Sequence, residues 1–524
     1  MKAMTGREAS FLAVALILLS ACSQASSLGN SSGSPSAKLS SATPSSSPSS
    51  TLSGSSLLPT LIPNPPGHRA VPPDPSLPKL RGQLFWHSYT SYETGDGQLW
   101  QMDLASGRMA AISAGWPVEN AINPHVSPDG KSLVFMADQA SDSDLDWDVF
   151  LSRWTGTEWA EPTNLTGPNG KADEDPKFSP DGTHIVFKID GAVTEMALDG
   201  TVTRRVSRAD PEAGQPYYLP DGRSIMYSEG SDSGARIVVR DPAGKRHVLA
   251  DIPNTSDYYP IGADDTSFFF TNVQDVTKYD RIMRGFYDGS APIPLFFDSN
   301  KADSSDPYPY EDGSRYLFYV SDDAKMSRGG YDLQVADLDS EKAYSLSRWN
   351  PLASTALEEV GIAWSGTAMF PSSGEVLLPD LSAPPGVLLS EGKPATAISS
   401  YPGFGPQKAN DGVLTGKNCW CVASASVLPS PYWQVNLTSD HEVSGLVLRF
   451  YPATPDIWYY SVQTSLDGMS WSTVIDARDT GQIASAARFE FAEPVAARFV
   501  RVVFNSLSAA QNWPGLVEAQ VYGT

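Results

Sequence analysis

The stretch Asn123–Asp138, NPHVSPDGKSLVFMAD, returns as DPKFSPDGTHIVFKID at Asp175–Asp190 and as QPYYLPDGRSIMYSEG at Gln215–Gly230. Looser copies follow: YYPIGADDTSFFFTN from Tyr258 and DPYPYEDGSRYLFYVS from Asp306. The turn aspartates Asp129, Asp181, Asp221, Asp265 and Asp312 stand 52, 40, 44 and 47 residues apart. In each unit a strand ends at Ser-Pro-Asp-Gly or its variant, where proline presets φ and Asp-Gly supplies the tight turn. An apolar strand follows, such as Ser132–Phe135 or His184–Phe187, then a third strand and a short fourth. Strands alone, repeating every 40–50 residues or so, make propeller blades.

These repeats resemble the TolB-type family of β-propellers, which carries the same S-P-D-G signature. Five units read directly. A degenerate sixth falls at Gly361–Thr367, and Gln83–Ala114 supplies strands that close the ring. The expectation is an all-β chain with six blades over residues 79–380, seven being the alternative count. The resemblance implies protein docking or a scaffold role for the propeller. Some relatives are instead non-catalytic parts of peptidases, or sugar lyases whose metal is held by several histidines. A peptidase partner domain needs Gly-x-Ser-x-Gly, which the sequence lacks. The propeller stretch holds His87, His125, His184 and His247, which fall at different points of their repeats. Carboxylates from separate blades can still converge without a local motif. A polysaccharide-active propeller, lyase or glycosidase, is therefore the alternative function, and the lining of the central channel decides between them. The acidic loops Asp138–Asp148 and Asp173–Asp175 read as solvated surface, since neither has calcium-loop spacing.

After a Pro-rich joint at Leu378–Pro385 the texture changes. The motifs are KANDG at Lys408, NCW at Asn418, YWQVNL at Tyr432, VSGLVLRFYP at Val443, YYSVQTSLDGMSW at Tyr459, RFVRVVF at Arg498 and LVEAQVYG at Leu516. Trp433, Val435 and Leu437 alternate, as do Leu446, Leu448 and Phe450, while Phe499, Val500, Val502 and Phe504 contain one slip. Such alternation is that of a β-sandwich, and Asp467-Gly468 is a hairpin turn. In this order the motifs resemble the discoidin family, or coagulation factor type C domains, which includes carbohydrate-binding modules. The match covers residues 386–524. The resemblance implies a structural calcium ion at the Lys408–Gly412 turn, with carboxylates from Asp411 and Glu518 and further oxygens from Lys408 and Thr415. It also places ligand loops at one end of the sandwich, where Tyr451, Trp458, Asn512, Trp513 and Arg449 are the candidate glycan contacts.

The first 22 residues carry Lys2 and Arg7, an apolar run from Phe11 to Leu19, then Leu19-Ser20-Ala21-Cys22. A basic start, a short apolar stretch and small residues before the cut describe an export signal. The ending resembles the lipobox of bacterial lipoproteins, which implies lipidation at Cys22, a membrane anchor and a place in the cell envelope outside the cytoplasm. Residues 23–78, rich in Ser and Pro, read as a disordered tether. A net charge of −23 disfavours nucleic acid as a partner. In that exported setting Cys419 and Cys421, flanking Trp420, form either a tight disulfide or two buried free thiols. The whole reads as an anchored extracytoplasmic binding lipoprotein, with a glycan and an envelope or surface protein as its partners.

Overall fold

The computed structural model describes residues 58–69, 73–91, 95–139, 147–167, 169–230, 234–274, 279–295, 302–322, 330–355, 357–414, 418–423, 430–451, 456–478, 483–484, 486–507 and 515–524. Five successive antiparallel sheets of four strands start at Val118, Asp173, Ala213, Thr255 and Ser304. The sixth joins the two ends of the propeller. Its innermost strand is Glu358–Ser365, followed outward by Gln83–Tyr89, Gln98–Asp103, Met109–Ala111 and Glu375–Val376. The innermost strands touch in sequence and close a ring, which makes six blades. Both the degenerate copy at Gly361 and the N-terminal closing strands lie where the sequence put them.

The repeat signature explains itself locally. In the first blade the Ser127 hydroxyl donates to Asp129 at 2.6 Å, and the Asp129 carboxylate accepts the Lys131 N–H. Ser179 and Asp181 repeat the arrangement in the second blade. Gly130 needs its φ of +72°, and a Cβ there would meet the Ala368 nitrogen at 2.4 Å. The turn of the first blade thus seats directly on the closing blade. The strand after each turn is buried, as in Leu133, Phe135, Ile185, Phe187, Phe268 and Phe318, and each such side chain contributes about 1.5–3 kcal/mol.

The C-terminal domain is a sandwich built on two long strands, Tyr432–Tyr451 and Ala486–Leu507, whose pairing breaks register between Asn436 and His441 and between Val443 and Gly445. The breaks bend each strand into both layers. Trp433, Val435, Leu437, Leu446, Leu448, Phe450, Val500, Val502 and Phe504 form the core with Trp420. The slip in the last strand is real: Phe499 leaves the core face and lies half-buried under Arg498. Ser465–Ser470 is a hairpin turn in which Asp467 accepts from the Met469 and Ser470 N–H groups, both at 2.7 Å.

One finding departs from the tether as read from composition. From Leu58 to Arg69 the chain is ordered against both folded parts. Leu61 and Ile62 pair with Phe491 and Glu490 of the sandwich, and His68 bridges Leu378 just after the propeller. The short apolar island Leu57–Ile62 inside the Ser/Pro-rich run is its sequence signal.

Candidate functional site

Every blade sends one residue of its innermost strand into the left-handed region at the same point of the repeat. They are Asn123 (φ +52°), Asp175 (+55°), Gln215 (+48°), Tyr259 (+51°), Asp306 (+49°) and Gly361 (+68°). Five of the six precede a proline, which cannot donate to the sheet ladder. The pairing registers shift there in all six blades, so each is a bulge. A non-glycine residue in this conformation stores roughly 1–3 kcal/mol of strain, held by the surrounding sheet. The six residues ring a cavity of about 70 Å³, which Lys177 also lines.

Two positions further along, the channel narrows to His125, Tyr217 and Tyr308 around Lys177. Tyr217 and Tyr308 hydrogen-bond each other and line both this cavity and a second one of about 510 Å³. The second cavity opens on the Ser-Pro turns and is bounded by Ser127, Ser179, Trp364 and Thr367. Burial pushes the Tyr217 phenol up to about 12 and that of Tyr308 well above its ordinary value, so both stay protonated. The channel is stoppered by aromatic rings.

His87, on the second strand of the closing blade, and His125, which lines the second cavity, are staples between blades. His87 Nδ1 accepts the Asn123 N–H at 3.2 Å, and His125 Nδ1 accepts the Phe178 N–H at 3.1 Å. Accepting at Nδ1 fixes the tautomer with the proton on Nε2. Burial, helped by the Lys177 charge, holds His87 down to about 3 and His125 well below the usual imidazole range. Lys177 is itself set deep in the protein yet keeps accessible surface, because the channel opens onto it. Burial lowers its ammonium pKa, opposed by the charges of Asp175 and Asp306. Among the described residues its hydrogen bond is a 3.4 Å contact to the Pro176 carbonyl. Reading the repeats for their turns missed this ring; the signal was the x-Pro pair that opens each copy.

In the sandwich, Glu518 is fully buried on strand Gly515–Gly523, where it stands opposite Arg449. Its Oε1 accepts the Gly412 N–H at 3.2 Å, while Oε2 is buried without a hydrogen-bond partner among the described residues. Burial raises its pKa to about 7, with the Asp411 and Glu391 charges adding to the rise. Asp411 caps its own turn, accepting from Asn418 Nδ2 at 2.9 and 3.0 Å and from the Val413 N–H. Asn410 is buried, with Nδ2 donating to the Ser390 and Lys393 carbonyls and Oδ1 unpartnered. Lys408 turns its ammonium over the Phe404 ring at 5.5 Å, which leaves only its carbonyl toward the turn. Thr415 lies outside the described residues. Asn410 and Glu391 were missed by sequence: the first is in the motif itself, the second arrives only through the fold. Two orphaned hard oxygens beside three mutually repelling carboxylates fit a calcium ion chemically. Among the described residues no three His, Cys, Asp or Glu side chains alone can clasp a metal, so carbonyl oxygens would have to complete the set.

Of the candidate glycan contacts, Arg449 has a buried Nε with no partner, and burial depresses its guanidinium pKa. Tyr451 is half-buried against Cys419, Cys421, Phe404 and Val517. Trp458 pairs through its backbone with Leu507; its side chain lies outside the described residues, as do Asn512 and Trp513. Cys419 and Cys421 are buried free thiols with sulfurs 3.1 Å apart. Gly515 opposes both Cys421 and Tyr451, and a Cβ there would meet the Cys421 sulfur at 3.0 Å.

Residues 394–519 match the F5/8 type C domain family. No match was found among curated proteins. Similar solved structures include a chitosan-binding module of a chitosanase/glucanase from Paenibacillus sp. IK-5, 26% identical, covering 26% of this chain and 99% of its own, TM-score 0.23. TolB from Acinetobacter baumannii is 15% identical and covers 55% of this chain and 67% of its own, TM-score 0.42. A putative TolB from Agrobacterium tumefaciens is 18% identical, covering 51% and 89%, TM-score 0.36. The chain is a six-bladed β-propeller followed by an F5/8 type C, or discoidin, domain.

Proposed function

We propose that this protein is a lipid-anchored, extracytoplasmic binding protein that takes a glycan through its discoidin domain and uses the propeller to dock an envelope or surface protein. The observation that carries the glycan reading is the loop end of the F5/8 type C domain. There the Arg449 Nε is buried without a hydrogen-bond partner among the described residues, and Tyr451 is only half-buried. An arginine with a free N–H donor, two residues from a half-buried tyrosine on the same strand, suits the hydroxyls and the C–H face of a sugar. The chitosan-binding module among the similar structures is consistent with this. Calcium, held by Glu518, Asn410, Asp411 and nearby carbonyls such as that of Lys408, with Thr415 as a further donor, neutralises the carboxylate cluster and fixes the turn. It performs no chemistry. Cys22 supplies the anchor, and the Ser/Pro-rich run spaces the head from the bilayer.

A glycan array probed with the full-length protein, with and without chelator, tests this reading. Binding should be selective and at least about tenfold weaker in Arg449→Ala. If no glycan is held above the level of a Trp458→Ala control, the carbohydrate reading fails. For the anchor, Cys22→Ser should move the protein from the membrane to the soluble fraction; retention in the membrane would sink it.

A further inference from the structure

We propose that the ring of left-handed residues at the narrow mouth of the propeller channel is a second binding site, for an uncharged polyhydroxylated ring such as the end of a neutral glycan. It stands on the propeller alone and goes beyond the docking role given above.

The backbone gives the first reason. Glycine, which the sixth blade uses at Gly361, takes this conformation without strain. The other five blades keep Asn123, Asp175, Gln215, Tyr259 and Asp306 there, each strained and each before proline. The bulges that impose this conformation gather five side chains round one cavity; Asn and Asp tolerate it, while Gln215 and Tyr259 are outliers for their type, and such outliers cluster at ligand sites.

Chemistry narrows the ligand. Lys177 brings an ammonium that, among the described residues, is within ion-pair distance of no carboxylate, and it lines the cavity. Gln215 presents a buried Oε1 without a hydrogen-bond partner among the described residues, and it lines the same cavity. An anion would gain Lys177 but would face the charges of Asp175 and Asp306, which already act on that ammonium. A cation would gain the carboxylates and meet Lys177 beneath them. A neutral hydroxyl escapes both penalties: its oxygen accepts from Lys177 and its proton is donated to Gln215 Oε1. Several hydroxyls on one ring can use the remaining polar atoms of Asn123 and Asp175, while Tyr259 offers an aromatic wall. The Tyr217–Tyr308 stopper keeps the ligand at this mouth.

Reductive methylation of the full-length protein, read lysine by lysine with mass spectrometry, reports on this mouth and not on the discoidin loops. The probes are methyl glycosides of neutral hexoses and N-acetylhexosamines, with the matching uronates. At least one neutral glycoside should slow methylation of Lys177 about fivefold or more, leaving exposed Lys245 unchanged. Gln215→Leu should remove that protection while Lys177 keeps its unprotected rate. Lys177→Met, close in shape and uncharged, should bind the same glycoside at least about tenfold more weakly by calorimetry. The proposal is overturned if no neutral glycoside protects Lys177, even where the protein binds glycans elsewhere. It is equally overturned if a uronate protects better than its neutral parent, or if both variants bind as the wild type does.

Discussion

The channel mouth and the discoidin turn each bury a charged group that makes no ion pair among the described residues, but they hold it by different means. Lys177 stands inside a ring of bulges anchored in six sheets, so its surroundings cannot relax around it. Glu518 faces a short turn, where Asn410, Asp411 and Gly412 are fixed by a few side-chain and backbone hydrogen bonds. The first arrangement is rigid by topology and can wait for a ligand. The second gathers carboxylates that repel Glu518, so its stability depends on their protonation.

A matched pair of glycines puts that contrast at risk first. Gly361 and Gly412 both have positive φ, yet a Cβ on Gly361 would meet the His87 ring at 2.4 Å, whereas one on Gly412 would meet only the Glu391 carboxyl at 3.3 Å. Gly361→Ala should therefore cost about 3–4 kcal/mol, combining strain with a clash in a closed ring. Gly412→Ala should cost about 1–2 kcal/mol, from strain alone. Denaturant unfolding measures both, and equal losses would show that the ring yields as easily as the turn.

Acid should move the two domains in opposite directions. His87 has its folded pKa depressed to about 3, so its contribution is present above the unfolded value of 6.5 and is lost as pH falls. Between pH 6.5 and 4.5 the propeller should lose about 2–3 kcal/mol through this group alone, with His125 adding to the loss. Glu518 runs the other way. Its folded pKa is raised to about 7, so its contribution is present below the unfolded 4.5 and is lost as pH rises through 7. Scanning calorimetry in chelator at pH 5 and pH 8 should show one transition falling and the other rising with acid. Parallel shifts would refute the assignment of opposite buried charges.

Calcium sharpens the same contrast with a smaller effect. At pH 8, where Glu518 is ionised, calcium should raise the discoidin transition by about 3–6 °C, and at pH 5 by much less. Glu518→Gln should raise that transition in chelator and abolish its response to calcium. A calcium response that persists in Glu518→Gln would place the ion elsewhere.

The repeats were legible because a propeller writes its punctuation into each blade: Pro presets φ, Asp-Gly turns, and an apolar strand follows. The sandwich was legible from alternation, including the slip at Phe499. The channel ring escaped notice although each quoted copy begins at or next to it. Positive φ at Asn123 or Gln215 is a property of the bulge that six sheets impose, and no single segment announces it. Glu391 lies 127 residues from Glu518, and only the fold makes the two carboxylates repel. The ordered strand at Leu61–Ile62 was hidden by its surroundings, since Ser and Pro dominate any window wide enough to score.

That strand supplies the smallest prediction and bears directly on whether the two regions act independently. Two residue pairs join it to Phe491 and Glu490, one bridge joins His68 to Leu378, and Arg69 reaches Glu375 at 3.3 Å from an exposed position. Glu375 is held far more firmly by Arg108, which donates from Nε at 2.8 Å and from Nη2 at 2.6 Å. Arg69→Ala should therefore cost no more than about 0.5 kcal/mol, and Arg108→Ala about 1–2 kcal/mol. Removing residues 58–69 should cost about 1 kcal/mol in total, because the strand is short and its apolar side chains are exposed. The informative readout is the spacing of the two calorimetric transitions at pH 5. If the strap couples the domains, the acid-weakened propeller drags the discoidin transition down, and deletion lets the two separate. Unchanged spacing after deletion would mean that the two domains already respond to pH on their own, the propeller through His87 and His125 and the sandwich through Glu518.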